Sequence, residues 1–326
     1  MKILFVHNSL QSFVKTDLEI LRSAHTVREL NFQFTPQSIR KTIKGAVWAD
    51  LVFCWFASFH CVLPLLFGRF LRKKAIIVGG DYDIIFDPVI SAGWWRDILR
   101  RAIGMVLFPL TAKYVVNSEF SRSKALGHSY INPKKVEMIH HGFQDFNGKK
   151  CSKERLVITV SGIEKTKKRR KGLDVFVRTS RQLPDVQFAL IGDWLDGTIE
   201  ELRAINSENI IYTGFVSPNE LQDWYARAKV YVQISYHEGF GCALAEAMVA
   251  GCIPVVTQRG AIPEVVGENG IYVTYGDVEA TVGGITKALG TSSDVGERAR
   301  ERVLNHFGLE KRREKLLGLI DWSSGA

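Results

Sequence analysis

The chain of 326 residues is 46% hydrophobic and 24% charged, which excludes a disordered or low-complexity protein and allows two domain cores. Its net charge of +9 belongs to the first half: residues 1–150 hold 21 Lys and Arg against 11 Asp and Glu, and residues 151–326 hold 22 against 23. A positive half attracts phosphate groups, nucleic acid or an anionic membrane, or is simply a soluble surface, and charge alone does not choose among these.

Short apolar runs alternate with helical patterns along almost the whole chain, which predicts parallel sheets covered by helices on both faces. In the first half we predict strands at residues 3–6, 27–30, 51–53, 75–78, 114–116 and 136–139. In the second half we predict them at residues 156–160, 186–191, 210–212, 230–234 and 253–257. Each half is therefore interpreted as a Rossmann-like unit, and the polar stretch 145–154 as the linker between them.

Two helix starts are predicted from local signals. Thr16 with Glu19 fits a capping box, and Ser217 fits one with Glu220 and has Pro218 at the first helical position. In parallel sheets ligands bind at the carboxyl ends of the strands, so the loops after the strands are where we expect the chemistry.

No targeting or membrane-spanning segment is predicted. The apolar run 51–71 approaches the ~20 residues of a membrane helix, but it contains polar residues and Pro64, so we interpret it as a buried strand and a core helix. The five cysteines have no metal-ligand spacing. They are typical of reduced core residues in a cytosolic protein.

The most informative segment is 235–251, SYHEGFGCALAEAMVAG, where a glycine-bearing loop leads from a strand into an apolar helix. Glu246 is the only charged residue between Glu238 and Arg259. An unpaired carboxylate inside such a helix would be costly, so Glu246 needs a partner. That partner is either a structural hydrogen bond within the protein or the hydroxyls of a ligand lying over the helix.

Glu238 lies in the loop just before this helix, where the helix dipole is positive and backbone amides face outward. Gly239 and Gly241 allow a ligand to approach the backbone closely. The loop therefore suits a diphosphate or a sugar oxygen. A dinucleotide-binding fingerprint is disfavoured, since Leu244 stands where the third small residue should be.

A basic run follows the strand at 156–160, with six basic residues among the seven from 165 to 171. Such a run is usually a solvated face or a nucleic-acid patch. Here it follows the carboxyl end of a strand, and Lys171 precedes Gly172 at a helix start, where a cation can meet phosphate. The segment 260–264, GAIPE, either places another carboxylate at the same edge or is a plain proline-stopped turn.

These motifs resemble a known family. The block EGFGCALAEAMVAGCIPVVTQRGAIPEVV, preceded by YTGFVSPNELQDWYARAKVYVQIS, is similar to the donor domain of the retaining family 4 glycosyltransferases, which have the GT-B fold of two Rossmann-like domains facing across a cleft. Matches continue at RRKGLDVF (169–176), NSEFSRSKAL (117–126) and HHGF (140–143). The resemblance implies an acceptor-binding domain at 1–148, a nucleotide-sugar donor-binding domain at 149–307, and a C-terminal helix at 308–322 packing back on the first domain.

The resemblance also implies roles for the glutamate pair and the basic run. Glu246 would bind the ribose hydroxyls and Glu238 a hydroxyl of the transferred sugar. Lys171 would neutralise the leaving diphosphate, which suits a transition state with separating charge. Transfer would retain the anomeric configuration and need no metal or other cofactor.

The remaining donor contacts follow from the same resemblance. Amides of Phe240 and Gly241, beside Gly239, would approach the sugar or phosphate. Phe215 and Val216 would line the base pocket.

Three departures from the family pattern concern the phosphate clamp and the acceptor side. Ile163 follows Gly162 where the family has an arginine, so the clamp is assigned to Lys165, Lys167 or Arg169. The paired glycines of the first N-terminal loop are absent from HNSLQSF (7–13). Asp81 follows the fourth strand in place of the family's histidine, and we assign it a catalytic hydrogen-bonding role near the anomeric carbon.

Asp81 also belongs to an Asp-x-Asp pattern at 81–83, which binds metal in differently folded transferases. A spacing this short is common by chance, so no metal site is assigned to it.

The acceptor is indicated by the segment 93–109, GWWRDILRRAIGMVLFP, whose aromatic, basic and apolar residues suit an anionic membrane interface. A core helix with a charged outer face is the alternative. We therefore expect a glycan or lipid-linked acceptor and a cytoplasmic enzyme, peripheral on the inner face of a membrane.

Two alternatives to a glycosyltransferase are considered. The first is a catalytically inactive GT-B scaffold that binds nucleotide or sugar. The second is another enzyme of the same fold, an epimerase or a phosphorylase. Nucleic acid is not an expected partner, because no stacking motif accompanies the basic run.

Overall fold

A computed structural model of the chain describes residues 1–80, 83–85, 87, 93, 98–128, 130–146 and 152–324. The chain divides into two units, one formed by Met1–Gly142 with Leu309–Ala326, and one formed by Phe143–Gly308. Unit 1 and unit 2 are used for these below. The first break lies six residues before the predicted boundary at 148.

Unit 1 is built on a six-stranded sheet in which every neighbouring pair is parallel, in the order β2-β1-β3-β4-β5-β6. Its strands are β1 Lys2–His7, β2 Thr26–Asn31, β3 Leu51–Trp55, β4 Lys74–Val78, β5 Lys113–Val116 and β6 Val136–Met138. Its helices before the break are α1 Ser12–Ala24, α2 Pro36–Trp48, α3 Val62–Phe70, α4 Ile98–Leu110 and α5 Glu119–Leu126.

Both faces of this sheet are apolar because the central strands carry apolar residues at consecutive positions. Leu4 and Val6 of β1 join a core with α2, α3 and α4. Ile3 and Phe5 of the same strand join a second core with α1 on the opposite face. The sheet is therefore buried between two helical layers, as predicted from the alternation of elements.

Unit 2 repeats this architecture with the sheet order β12-β11-β10-β7-β8-β9, again parallel throughout. Its strands are β7 Glu154–Val160, β8 Gln187–Ile191, β9 Ile210–Tyr212, β10 Ala228–Gln233, β11 Ile253–Thr257 and β12 Ile271–Val273. Its helices are α6 Lys165–Lys171, α7 Leu173–Gln182, α8 Thr198–Arg203, α9 Pro218–Arg227, α10 Cys242–Val249, α11 Ile262–Val266, α12 Val278–Gly290 and α13 Asp294–Phe307. Helices α10 and α13 pack on one face, and α7 and α12 on the other.

The last helix, α14 Leu309–Ser324, belongs to unit 1. Leu316 and Ile320 enter the same core as α1. Arg312 is 2% exposed and donates to both carboxylate oxygens of Asp17 in α1, at 2.6 and 2.7 Å. Its Nη1 also donates to the carbonyls of Ile139 and His140 after β6. A buried ion pair, in which Nε, Nη1 and Nη2 of Arg312 are all directed at oxygens, thus fastens α14 to α1.

Several local expectations are tested by these elements. The capping box of Ser217 and Glu220 is present at α9. The predicted start at Thr16 is wrong, because α1 begins at Ser12 and the Thr16 hydroxyl donates to the Ser12 carbonyl within the helix. Strand β12 was not predicted. In the described part of the chain, no helix is long and apolar enough to span a membrane, and 51–71 forms β3, a short 3-10 turn and α3.

Candidate functional site

The candidate site lies where two neighbouring strands of unit 2 end. β7 and β10 are paired in parallel, so the loops after their carboxyl ends emerge side by side. β7 leads to the basic helix α6, and β10 leads through the loop 234–241 to α10. The two segments singled out in the sequence are thereby brought together.

Glu238 is buried in this loop between two cations. Its Oε1 lies 2.9 Å from Nζ of Lys171 and accepts a 2.8 Å hydrogen bond from Ser235. Its Oε2 lies 3.4 Å from Nη1 of Arg170. Burial alone would raise the pKa of the Glu238 carboxyl, but the charges of Lys171 and Arg170 and the hydrogen bonds lower it to about 2. Glu238 is therefore a carboxylate at any physiological pH.

Lys171 is positioned by the way α6 ends. Gly172 has φ +65°, a conformation that favours glycine, and a Cβ atom there would lie 2.8 Å from the carbonyl oxygen of Ile234. The amide of Tyr236 donates to the carbonyl of Arg170 at 2.6 Å. This backbone contact holds the last residues of α6 against the loop that carries Glu238.

Glu246 lies on α10, eight residues after Glu238, and is half-buried. The hydroxyl of Tyr225, from α9, donates to its Oε2 at 3.2 Å. Glu246 thus has a partner within the protein, one of the two alternatives left open by the sequence. The carboxylate of Glu246 has about four lone-pair directions, and the tyrosine hydroxyl uses one of them.

The turn at 260–264 packs against the backbone of Glu238. Ala261 donates from its amide to the Glu238 carbonyl at 2.9 Å. Gly260 has φ +60°, and a Cβ atom there would lie 2.6 Å from the carbonyl oxygen and 2.7 Å from the nitrogen of Glu238. This turn therefore restrains the position of the Glu238 backbone.

We expect Gly260→Ala to lower both stability and any activity that depends on Glu238. A left-handed backbone costs alanine about 1 kcal/mol, and relieving the backbone clash adds roughly 2 kcal/mol. Gly276→Ala is the matched control, since Gly276 has φ +81° and open space around its Cβ direction. Urea denaturation of both variants measures the difference. Equal losses in the two would show that the turn does not press on Glu238.

Part of the chain is similar to a known protein family. The model of the family described as Glycosyl transferases group 1 matches residues 154–291. The second unit is similar to the glycosyl transferases group 1 family over these residues. The group 1 resemblance predicted from the motifs is confirmed there.

Relatives and solved structures add to this assignment. The chain is 35% identical to O-antigen chain mannosyltransferase B of Escherichia coli over 98 residues, 29% of this chain and 26% of that protein. It is 27% identical to the MMP alpha-(1->4)-mannosyltransferase of Mycolicibacterium hassiacum, covering 79% of this chain and 74% of that one. The first three curated relatives are spanned over only 26% to 65% of their own length.

A solved structure establishes the fold. Anabaena HepE in complex with UDP and glucose superposes with a TM-score of 0.83 at 17% identity, covering 98% of this chain and 99% of that one. At this identity the likeness shows the fold alone. The GT-B fold predicted from the sequence is confirmed.

The residues expected to replace the family's arginine are placed unequally. Ile163 is fully buried in the core with α7, so its side chain does not reach the loop edge. Lys165 and Arg169 are exposed. The ammonium of Lys167 lies beside Gly162: a Cβ atom added to that glycine would be 3.2 Å from Nζ of Lys167. Of the three proposed substitutes, Lys167 is the one next to the family position.

The loop 234–241 also contains residues whose side chains pack within unit 2. Phe240 is buried and stacks on Phe143, with ring centroids 5.8 Å apart. Gly241 caps α10 with φ +95°. Of the predicted base-pocket residues, Phe215 is 75% exposed and Val216 packs partly on the core. A role for Phe240 would therefore involve its backbone, as the resemblance implies.

On the acceptor side, Asp81 lies outside the described residues. Asp83, at the other end of the Asp-x-Asp pattern, is buried, and its carboxylate accepts hydrogen bonds from the amides of Ala57 and Gly80 at 2.7 and 3.0 Å. These bonds tie together the loops that follow β3 and β4.

Sequence reasoning missed three residues that contact the glutamate pair. Arg170 was hidden in a run where neighbouring positions are also basic. Ser235 precedes Glu238 by three residues, the spacing at which a serine hydroxyl reaches back to a loop carboxylate. Tyr225 lies 21 residues from Glu246 and gave no local signal.

Proposed function

We propose that this protein is a glycosyltransferase that moves a hexosyl or related sugar from a nucleoside-diphosphate donor to a glycan or lipid-linked acceptor. The observation that carries the proposal is the buried Glu238 carboxylate, which Lys171 and Arg170 contact at the carboxyl edge of a parallel sheet. Glu246 follows eight residues later, on the helix that this loop leads into. The match of residues 154–291 to the group 1 family supports it. The UDP and glucose of the HepE complex belong to that protein and support a nucleotide-sugar donor here.

The proposed chemistry assigns separate tasks to the two glutamates. Glu246 binds the ribose hydroxyls, and Glu238 binds a hydroxyl of the transferred sugar. Lys171, with Arg170 beside it, meets the diphosphate as negative charge develops on the leaving group. Fixed cations in a partly buried site stabilise such charge without reorganising.

Retention and metal independence complete the proposal. Lys171 and Arg170 stabilise the charge of the leaving diphosphate, as a bound metal ion does in other transferases. The leaving phosphate takes the proton of the acceptor hydroxyl on the face where the new bond forms. An unchanged anomeric configuration in the product, measured by NMR coupling constants, and unchanged turnover in excess chelator are the expected results. Asp81 is proposed to donate or accept a hydrogen bond near the anomeric carbon.

We place the reaction in the cytoplasm at the inner face of a membrane, where a lipid-linked acceptor would be presented. The positive charge of the first half supports this placement. The competing function is an inactive scaffold that binds nucleotide without transfer. The burial of Ile163 in place of a cationic side chain favours it, and the placement of Lys167 beside Gly162 favours the enzyme.

Calorimetry with UDP, GDP, ADP and their sugar conjugates tests the donor site. We expect one nucleotide to bind the wild type, and Glu246→Ala to weaken that binding roughly ten- to a hundredfold, the effect of losing hydrogen bonds to a charged group. Tyr225→Phe is the matched control, because it removes the protein's own hydrogen bond and keeps the carboxylate. If no nucleotide binds, the donor-site proposal fails; if one binds but no product forms with any acceptor, the scaffold is correct.

A further inference from the structure

One face of unit 1 is covered by three adjoining helices. α2 contacts α3, and α3 contacts α4. All three contribute to the same core under the sheet. The solvent side of these helices is called the α2–α3–α4 surface below.

Large apolar side chains project from this surface. On α2 they are Ile39, Ile43 and Val47, spaced four residues apart and so aligned in one stripe. On α3 they are Leu66 and Phe70, and on α4 they include Met105 and Val106. Phe70 is 82% exposed and Val47 61%. Adjoining exposed apolar groups of this size mark an interaction site.

Helix α2 shows that this exposure is not a by-product of core packing. Its buried positions hold Ser38, Thr42, Gly45 and Ala46, while its isoleucines face outward. Gly45 packs so tightly that a Cβ atom there would lie 2.6 Å from a methyl of Leu4. The small residues of α2 pack in the core, and its apolar stripe faces solvent, where it is available to a binding partner.

The charge of the surface is of one sign. The three helices contain six basic residues and no Asp or Glu: Arg40, Lys41, Lys44, Arg69, Arg100 and Arg101. Arg72 and Lys73 follow α3 after one residue, Leu71. The opposite layer of the same unit, α1 and α14, carries five acidic and six basic residues, so its charges nearly balance. The basic excess of the first half is therefore concentrated on the face that also exposes apolar side chains.

We propose that the α2–α3–α4 surface docks on a bilayer containing anionic lipid. Aliphatic side chains that enter the interface, surrounded by Lys and Arg that meet lipid phosphates, are what such a bilayer binds. A nucleic acid would use the cations but would gain little from isoleucine and leucine. The docking deepens the proposed function, since it rests on a lipid-linked acceptor being presented at that membrane.

This surface differs from the one expected from sequence. That expectation concerned residues 93–109 alone, of which Trp94 and Trp95 lie outside the described residues. The docking face now includes α2 and α3, which come from elsewhere in the chain.

Sedimentation of the full chain with vesicles tests the proposal. We expect binding to phosphatidylcholine vesicles containing phosphatidylglycerol at low salt, and loss of binding at high salt or without the anionic lipid. Combining Arg40→Gln, Lys41→Gln and Lys44→Gln should weaken the affinity about a hundredfold. Leu66→Ser with Phe70→Ser should weaken it about tenfold.

Matched controls come from unit 2. Arg178→Gln, Arg181→Gln and Lys287→Gln combined remove the same number of exposed charges, and Ile211→Ser removes an exposed apolar side chain; both should bind vesicles like the wild type. Nucleotide calorimetry on each variant shows separately whether the fold and donor site are intact, so this proposal and the donor proposal can fail independently.

Three results would overturn the docking. The first is that the wild type does not bind vesicles, and the second is that the surface variants bind them as well as the wild type does. The third is that the wild type binds RNA or self-associates instead of binding vesicles, and that the same variants abolish this.

Discussion

Replacing Glu238 by alanine should reduce sugar transfer by at least about a hundredfold, the usual cost of losing one preorganised electrostatic group in a site. The loss should exceed that of Glu246→Ala, because Glu238 also orders the cations Lys171 and Arg170. A radiolabelled-donor assay with the acceptor found by screening measures it. Glu279→Ala, an exposed glutamate on α12, is the control and should leave transfer unchanged.

The same substitution should destabilise unit 2 by about 3 kcal/mol, since it leaves buried positive charge without its partner. Glu238→Gln separates charge from shape. The folded pKa of Glu238, about 2, lies below the ordinary glutamate value of 4.5, so the stabilisation from ionised Glu238 is complete above pH 4.5 and is lost as the pH falls from 4.5 towards 2. Denaturation from pH 5 downward should therefore show the wild type converging on Glu238→Gln. A constant difference across this range would contradict the ion-pair assignment.

Arg312→Met should destabilise unit 1 by about 3 kcal/mol or more. It removes the cation from a fully buried pair and leaves Asp17, which is 0% exposed, as a buried charge. Within the described residues, the indole N–H of Trp55 is then the only side-chain donor directed at it. The carbonyls of Ile139 and His140 lose their donor as well. Thermal and urea unfolding of the whole chain measure the loss.

A double variant distinguishes a lost ion pair from lost packing. Asp17→Leu with Arg312→Met replaces both charges by apolar groups of similar length, and should recover much of the stability lost in Arg312→Met. Arg313→Met, on the next residue of α14, is the control and should change stability little. If the double variant is no more stable than Arg312→Met, the helix is held by its apolar contacts and the pair is secondary.

The fold was predictable because its signals are local and repeated. Apolar runs of strand length recur between helical patterns, and the glycine-bearing loop with its two glutamates has a sequence pattern of its own. The capping box at Ser217 is equally local. Thr16 and Glu19 show the weakness of such patterns, because the same spacing fits inside a helix whose start, at Ser12, has no side-chain cap.

The partners within the candidate site were less accessible to sequence reasoning. Lys171 was singled out from the sequence, but the approach of Arg170 to Glu238 as well depends on α6 ending at Gly172 and on the packing of that glycine against Ile234. Tyr225 meets Glu246 only because α9 and α10 lie together on one face of the sheet. The three-residue strand β12 is short, at the sheet edge and only partly buried, so it gave no period to detect.

The junction of α14 with α1 has a consequence for how the protein is made. Arg312 and Asp17 are 295 positions apart, and the whole of unit 2 is synthesised between them. Unit 2 is one continuous stretch of chain and can fold while translation continues. Unit 1 waits for α14, which is synthesised after the whole of unit 2, so the exposed α1 core is what a chaperone would meet in the nascent chain.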